Sequence, residues 1–212
     1  MNAKLKETIL NPILKGNPIT VLVLGICSSL AVTVQMKGAF VMGLSVIVVT
    51  ALSNFIVSLM RNSIPNRVRI IVQLVVVSLM VILVDQFLKA YAYSIETQLS
   101  VYVGLIITNC IVMGRIEAFG LGNKPIPSLL DGLANGAGYA MILLIVAFFR
   151  ELFGSGTLFG FQVIPQCFYD AGYMNNGLVI LPPVALILLG CIVWVQRSIQ
   201  KDLQEKQQLT RK

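Results

Sequence analysis

The chain has no histidine in its 212 residues. That removes the commonest general base and metal ligand in proteins. Charge is scarce as well: 12% of residues are Asp, Glu, Lys or Arg, against about 25% in a soluble domain. This is too little to cover a water-facing surface of this size. No glycine-rich phosphate loop follows a strand-like run, which argues against nucleotide binding within the chain. Four cysteines are present, Cys27, Cys110, Cys167 and Cys191, and no two stand in a C-x-x-C spacing. A zinc or redox motif closed within one loop is therefore excluded. Met1 to Pro18 is polar, contains Pro12 and Pro18, and has no A-x-A site close behind its first apolar run. It does not read as a secretory leader.

In place of charge the chain has long apolar runs, and 57% of it is hydrophobic. About 20 apolar residues cross a bilayer as a helix. Six segments qualify: Ile19–Val34, Ala39–Met60, Val68–Leu88, Leu99–Gly114, Leu129–Phe149 and Leu178–Val195. The first and fourth are short; 16 residues at 1.5 Å each reach ~24 Å, against a hydrocarbon core of ~30 Å. Both carry small or polar residues midway: Gly25, Ser28 and Ser29 in one, Gly104, Thr108 and Asn109 in the other. The run Gly132-Leu-Ala-Asn-Gly136, with Gly138, suits close helix packing. Pro182 and Pro183 are expected to kink the start of the sixth span. The net charge of +7 does not point to nucleic acid, because Lys and Arg gather in the cytoplasmic loops of membrane proteins. Under this topology thirteen basic residues lie on the side of the termini, from Lys4 through Arg61, Arg115 and Lys124 to Lys212. Three lie opposite: Lys37, Lys89 and Arg150. Both termini are expected in the cytoplasm.

Three spans per half make the second half enter from the opposite face. The expected fold is all-α and integral to the membrane: one polytopic domain over residues 1–212. Inverted three-helix repeats occupy about 19–88 and 99–195, followed by a charged tail, 196–212. Weak internal similarity supports the repeat. Cys27 is followed by Lys37-Gly-Ala-Phe40, and Cys110 by Ile116-Glu-Ala-Phe119; each half then has a long helix ending in arginine, at Arg61 and Arg150. Such repeats place a site near the midplane, and short or interrupted spans mark it. Cys27 and Cys110 are expected at that depth. A buried cysteine often serves only as a small hydrophobe. The alternatives are a disulfide or ligation of iron, and a common cluster needs four thiolates, of which this chain offers two at that depth.

Three stretches carry a resemblance: Gly25-Ile-Cys-Ser-Ser-Leu-Ala-Val-Thr33, Thr108-Asn-Cys-Ile-Val-Met-Gly-Arg115 and Phe149-Arg-Glu-Leu-Phe-Gly-Ser-Gly156. They resemble the membrane family shared by the sodium-translocating NADH:ubiquinone reductase and the Rnf-type ferredoxin:NAD reductase. Arg69-Ile-Ile-Val-Gln73, Val84-Asp-Gln-Phe-Leu-Lys-Ala-Tyr91 and Pro125-Ile-Pro-Ser-Leu-Leu-Asp-Gly132 are more similar to the sodium-pump branch. The resemblance runs from about residue 6 to 198. It implies a subunit of a bacterial inner-membrane translocase that is not catalytic alone. It further implies that Cys27 and Cys110 match the two cysteines such a subunit gives to an iron–sulfur cluster, in the 2Fe-2S form, shared with a paralogous E subunit. NADH, flavins and ubiquinone would bind mainly to other subunits. A mononuclear iron with four thiolates fits the same residues. Two other readings remain: the E subunit of an Rnf-type complex, and a secondary transporter with inverted repeats. A transporter usually has several charged groups at the midplane, whereas here the midplane offers mainly Cys, Ser, Thr and Asn.

Carboxylates in or beside the bilayer are costly, and so are functional candidates. By these boundaries Asp131 opens the fifth span on the cytoplasmic side, and Asp85 closes the third on the far side. In a sodium pump Asp131 is expected to help the ion enter and Asp85 to help it leave. An acid near a helix N-terminus is also favoured by the dipole alone. No residue of the chain is expected to be catalytic. The basic-residue asymmetry makes a direct prediction. Reporter fusions at Lys212 and near Asp170 should report opposite compartments, and a shared compartment would overturn the six-span topology.

Overall fold

The computed structural model describes residues 17–65, 67–91, 104–159, 161–162 and 177–199. Helices dominate. In chain order they are α1 (Ile26–Val32), α2 (Met36–Met60), α3 (Arg69–Tyr91), α4 (Cys110–Arg115), α5 (Pro125–Ser155) and α6 (Pro182–Ile199). A π-helical turn, Ile116–Gly120, follows α4, and a 3-10 turn, Gly177–Ile180, precedes α6. A two-residue hairpin pairs Thr157 with Gln162 and Leu158 with Phe161.

Among the described residues four helices, α2, α3, α5 and α6, are long and apolar enough to cross a membrane. They cover the second, third, fifth and sixth expected segments. The first expected segment is helical only over α1. Turns occupy 18–22, and Val23 and Gly25 both take positive φ, 57° and 84°, which no helix interior accommodates. The fourth breaks similarly. A single turn at 104–107 ends at Thr108, and the chain restarts as α4 with Asn109 extended at its N-cap. Its first residues, 99–103, lie outside the described residues, as do 1–16 and most of the tail.

The boundaries of α5 and α6 follow from proline and glycine. Pro125 sits in the first turn of α5, where no backbone donor is needed. Gly156 ends that helix in the left-handed conformation, its N–H on the Glu151 carbonyl at 3.1 Å. Pro182 is the first residue of α6. The expected kink at Pro182 and Pro183 is thus a helix start, because the preceding residues form the separate 3-10 turn.

The core is the α2–α5 pair. A Cβ on Gly132 would lie 2.8 Å from Ala51 Cα, and one on Gly136 would lie 2.8 Å from Ile47 Cα. From the other side, a Cβ on Gly43 would meet Ala140 Cβ at 2.9 Å. The small residues let two backbones touch, and dispersion over that contact holds the pair in lipid, where no hydrophobic force acts between helices. Met42, Val46, Val49, Val57, Leu143 and Val146 fill the surrounding core. In contrast α6 is largely exposed, with Ile187, Trp194 and Ile199 outward, as suits lipid or a neighbouring chain.

This packing predicts a stability result. Gly136→Val drives a branched side chain into the Ile47 backbone and should cost about 1–3 kcal/mol, read as a lower melting temperature of the purified assembly. Gly190→Ala, where an added Cβ meets nothing within 4 Å, should be neutral or slightly stabilising.

Candidate functional site

The two breaks meet. The Gly25 N–H, at the start of α1, donates to Cys110 Sγ at 2.8 Å. Cys27 is the second residue of α1 and Cys110 the first of α4, so both cysteines stand at the starts of short helices. The contact is tight, because a Cβ on Gly25 would lie 2.7 Å from Ile111 Cδ1 and 2.9 Å from Tyr139 Cε2. Glycine is thus required at Gly25 both by φ and by space.

Behind the cysteines lies a buried polar node. The Ser28 hydroxyl shares a 2.6 Å hydrogen bond with the Tyr139 hydroxyl and donates to the Gly25 carbonyl at 3.0 Å. Asn109 Nδ2 donates to Ser28 Oγ at 3.3 Å and to the Tyr139 oxygen at 3.4 Å. Its Oδ1 caps α4 by accepting from the Ile111 N–H at 3.2 Å. Ser28, Asn109 and Tyr139 are all buried. Tyr139 is the fifteenth of the 31 residues of α5, so the node stands at half the height of that helix.

From this node the short helices diverge along α5. The far end of α1 is held by Arg150, whose guanidinium donates to the Leu30 carbonyl at 3.2 Å and to Thr33 Oγ1 at 2.6 Å. It also donates to the carbonyls of Val179, at 3.3 Å, and Ile180. The far end of α4 is held by Arg115, which grips the Asp131 carboxylate through Nε at 3.0 Å and through Nη2. Asp131 and Arg150 lie on opposite sides of Tyr139 in α5. One short helix therefore runs toward each end of the long one.

The cysteines are accessible: Cys27 is exposed and Cys110 partly so. Among the described residues no three of His, Cys, Asp or Glu gather to hold a metal. Cys191 is exposed on α6 and lines a groove of about 670 Å³ with Ile145, Phe149 and Leu188, apart from the node. Cys167 lies outside the described residues. Two thiols at a surface, with a backbone N–H on one sulfur, fit half of an iron–sulfur ligand set. Soft sulfur donors are what such clusters take.

A comparison with known proteins decides the family. The model described as "Rnf-Nqr subunit, membrane protein" matches residues 5–193. The chain belongs to the Rnf-Nqr family of membrane subunits. It is 54% identical over 202 residues to the D subunit of the Na(+)-translocating NADH-quinone reductase of Psychromonas ingrahamii, covering 95% of this chain and 96% of the relative. It is 56% identical over 196 residues to the D subunits of the same name from Aeromonas hydrophila and Aeromonas salmonicida, covering 92% of the chain and 93% of each relative.

In this Rnf-Nqr chain the two candidate acids differ from their expected settings. Asp131 does not open α5; the helix begins six residues earlier, at Pro125. Its carboxylate is buried, paired with Arg115 and bonded by Asn135 Nδ2 at 3.0 Å. Asp85 lies six residues before Tyr91, the end of α3, and pairs with Lys89 at 2.8 Å. The structure does not bring the two acids together, nor either acid to the node. Sequence reasoning missed Tyr139, since a lone tyrosine in an apolar run gives no signal. It also took Arg150 as the charge that ends a long helix on the far side and passed over Glu151, although both stand in one of the family-like stretches. Glu151 Oε2 accepts from the Met36 N–H at 2.6 Å, at the positive end of the α2 dipole. Arg69 joins Gln73 in binding Glu117 of the π-helical turn.

Proposed function

We propose that this chain is a membrane subunit of a sodium-translocating NADH-quinone reductase, and that Cys27 and Cys110 supply half the ligands of an iron–sulfur centre in the bilayer. The observation that carries this reading is the Gly25–Cys110 contact, which joins the two cysteine-bearing breaks at half the height of α5. A paralogous partner of similar build, the E subunit, provides the other two thiolates. The chain makes six crossings of the bacterial inner membrane as two inverted halves, with both termini in the cytoplasm. The divergence of α1 and α4 from a shared point, with Cys27 and Cys110 at their starts, supports that symmetry.

An iron–sulfur centre, when bound, accepts and passes on single electrons, and a carrier near the midplane divides a path of ~30 Å. The residues of this chain prepare the place for it. The Gly25 N–H lies on the Cys110 sulfur, where it favours negative charge. Asn109 satisfies the Ile111 N–H by its side chain. Burial of Ser28, Asn109 and Tyr139 behind the cysteines excludes water on that side.

The geometry makes a clear demand on the cysteines. Cys27→Ser or Cys110→Ser should lower the iron content of the assembled complex and stop quinone reduction. Cys167→Ser and Cys191→Ser should be mild. A Cys27→Ser complex with full iron content and NADH:quinone activity would end the assignment.

For the ion, Asp131 belongs to the entry side and Asp85 to the exit side. Asp131 is held by Arg115, so a sodium ion would have to compete with a guanidinium for the carboxylate. Asp131→Asn should therefore raise the sodium concentration needed for half-maximal turnover. Unchanged sodium dependence in a well-assembled complex would reduce Asp131 to the partner that holds α4.

A further inference from the structure

The hydrogen bonds of the node have a fixed direction, and it leads from Tyr139 to a cysteine sulfur. Ser28 has one hydroxyl proton, and it is given to the Gly25 carbonyl. In the 2.6 Å contact between Ser28 and Tyr139, the donor is then Tyr139. Asn109 agrees with this assignment. Its Oδ1 accepts from the Ile111 N–H, so its NH2 faces the tyrosine oxygen and donates. The phenol proton therefore points to Ser28, and the serine proton points to Gly25.

Gly25 is the residue so held. Its φ of 84° turns its N–H onto Cys110 Sγ while its carbonyl faces Ser28. Rotation of either peptide would break one bond or the other. We propose that Tyr139 is a positioning residue: acting through Ser28, it fixes the Gly25 N–H on the Cys110 sulfur and thereby raises the reduction potential of the centre that Cys110 helps to hold. The effect on potential rests on the iron–sulfur reading, whereas the positioning does not. Reduction adds negative charge to the sulfurs, so a donor on one of them stabilises the reduced form. Among the described residues no hydrogen bond joins the tyrosine to either cysteine; its bonded route to the Cys110 sulfur runs through Ser28 and Gly25.

The test compares the intact complex with its Tyr139→Phe and Ser28→Ala forms. Two quantities are read: hydrogen–deuterium exchange at the Gly25 amide, and the midpoint potential of the iron–sulfur signal that Cys110→Ser removes. Both substitutions should speed Gly25 exchange about tenfold or more. Both should also lower the midpoint by about 59 mV, the equivalent of a tenfold change for a one-electron couple, at unchanged iron content. Thr50→Ala removes a buried hydroxyl that bonds only within α2, to the Val46 carbonyl, and should change neither reading. Unchanged exchange at Gly25 overturns the proposal whether or not the complex holds a centre. Faster exchange with an unchanged midpoint overturns the effect on potential. If Cys110→Ser leaves every iron–sulfur signal in place, the iron–sulfur reading fails, and the exchange result alone judges the positioning. If Tyr139→Phe fails to assemble, Ser28→Ala decides.

Discussion

Broken helices inside a bilayer must find partners for the backbone groups they release, because lipid offers none. The rest of this structure follows from how that constraint is met at half the height of α5. The Gly25 N–H goes to a cysteine sulfur, the Gly25 carbonyl to Ser28 and the Ile111 N–H to the Asn109 side chain. Tyr139 closes the set. The same bonds that satisfy the breaks also bring Cys110 against the start of α1, two residues from Cys27. Satisfaction of the backbone and placement of the thiols are one arrangement. The node has force only if α5 is itself held still, and the glycine contacts with α2 do that by joining backbone to backbone.

The two arginines complete the geometry in different ways. Arg115 finds a carboxylate, in a two-pronged pairing that suits a site with little water. Arg150, nearly fully buried at 1% exposure, takes carbonyls and a hydroxyl. Its acceptors are the carbonyls left free where α1 ends and where the 3-10 turn precedes α6. A guanidinium with five donors can serve all four of these acceptors, whereas a lysine ammonium has three donors. Buried charge thus anchors the outer ends of both short helices, and neutral hydrogen bonds anchor their inner ends.

Much of this is legible in the sequence. The scarcity of charge and the apolar runs locate all four long helices, and Gly132-Leu-Ala-Asn-Gly136 marks their closest packing. Small and polar residues at Gly25, Ser28, Thr108 and Asn109 mark the breaks. Other features are hidden for physical reasons. Tyr139 matters only because the α1 and α4 breaks reach it from far away in sequence, and hydropathy cannot express such a meeting. Arg150 and Glu151 end an apolar run, where a charge usually belongs to a loop; here a short helix and a turn fold over them. Pro182 reads as a kink only if the helix has already begun, and the 3-10 turn before it is not visible in periodicity. Asp131 reads as an acid at a helix start, but its partner Arg115 lies across a loop and a π-helical turn.

The central claim is that the two breaks meet and place Cys27 beside Cys110. It is tested most directly by thiol cross-linking in the iron-depleted complex, with Cys167 and Cys191 replaced by alanine. A bifunctional thiol reagent of near-contact span should join Cys27 to Cys110 within one chain, and Gly25→Leu, which fills the junction, should abolish the product. Two cysteines that react separately and never join would contradict the account.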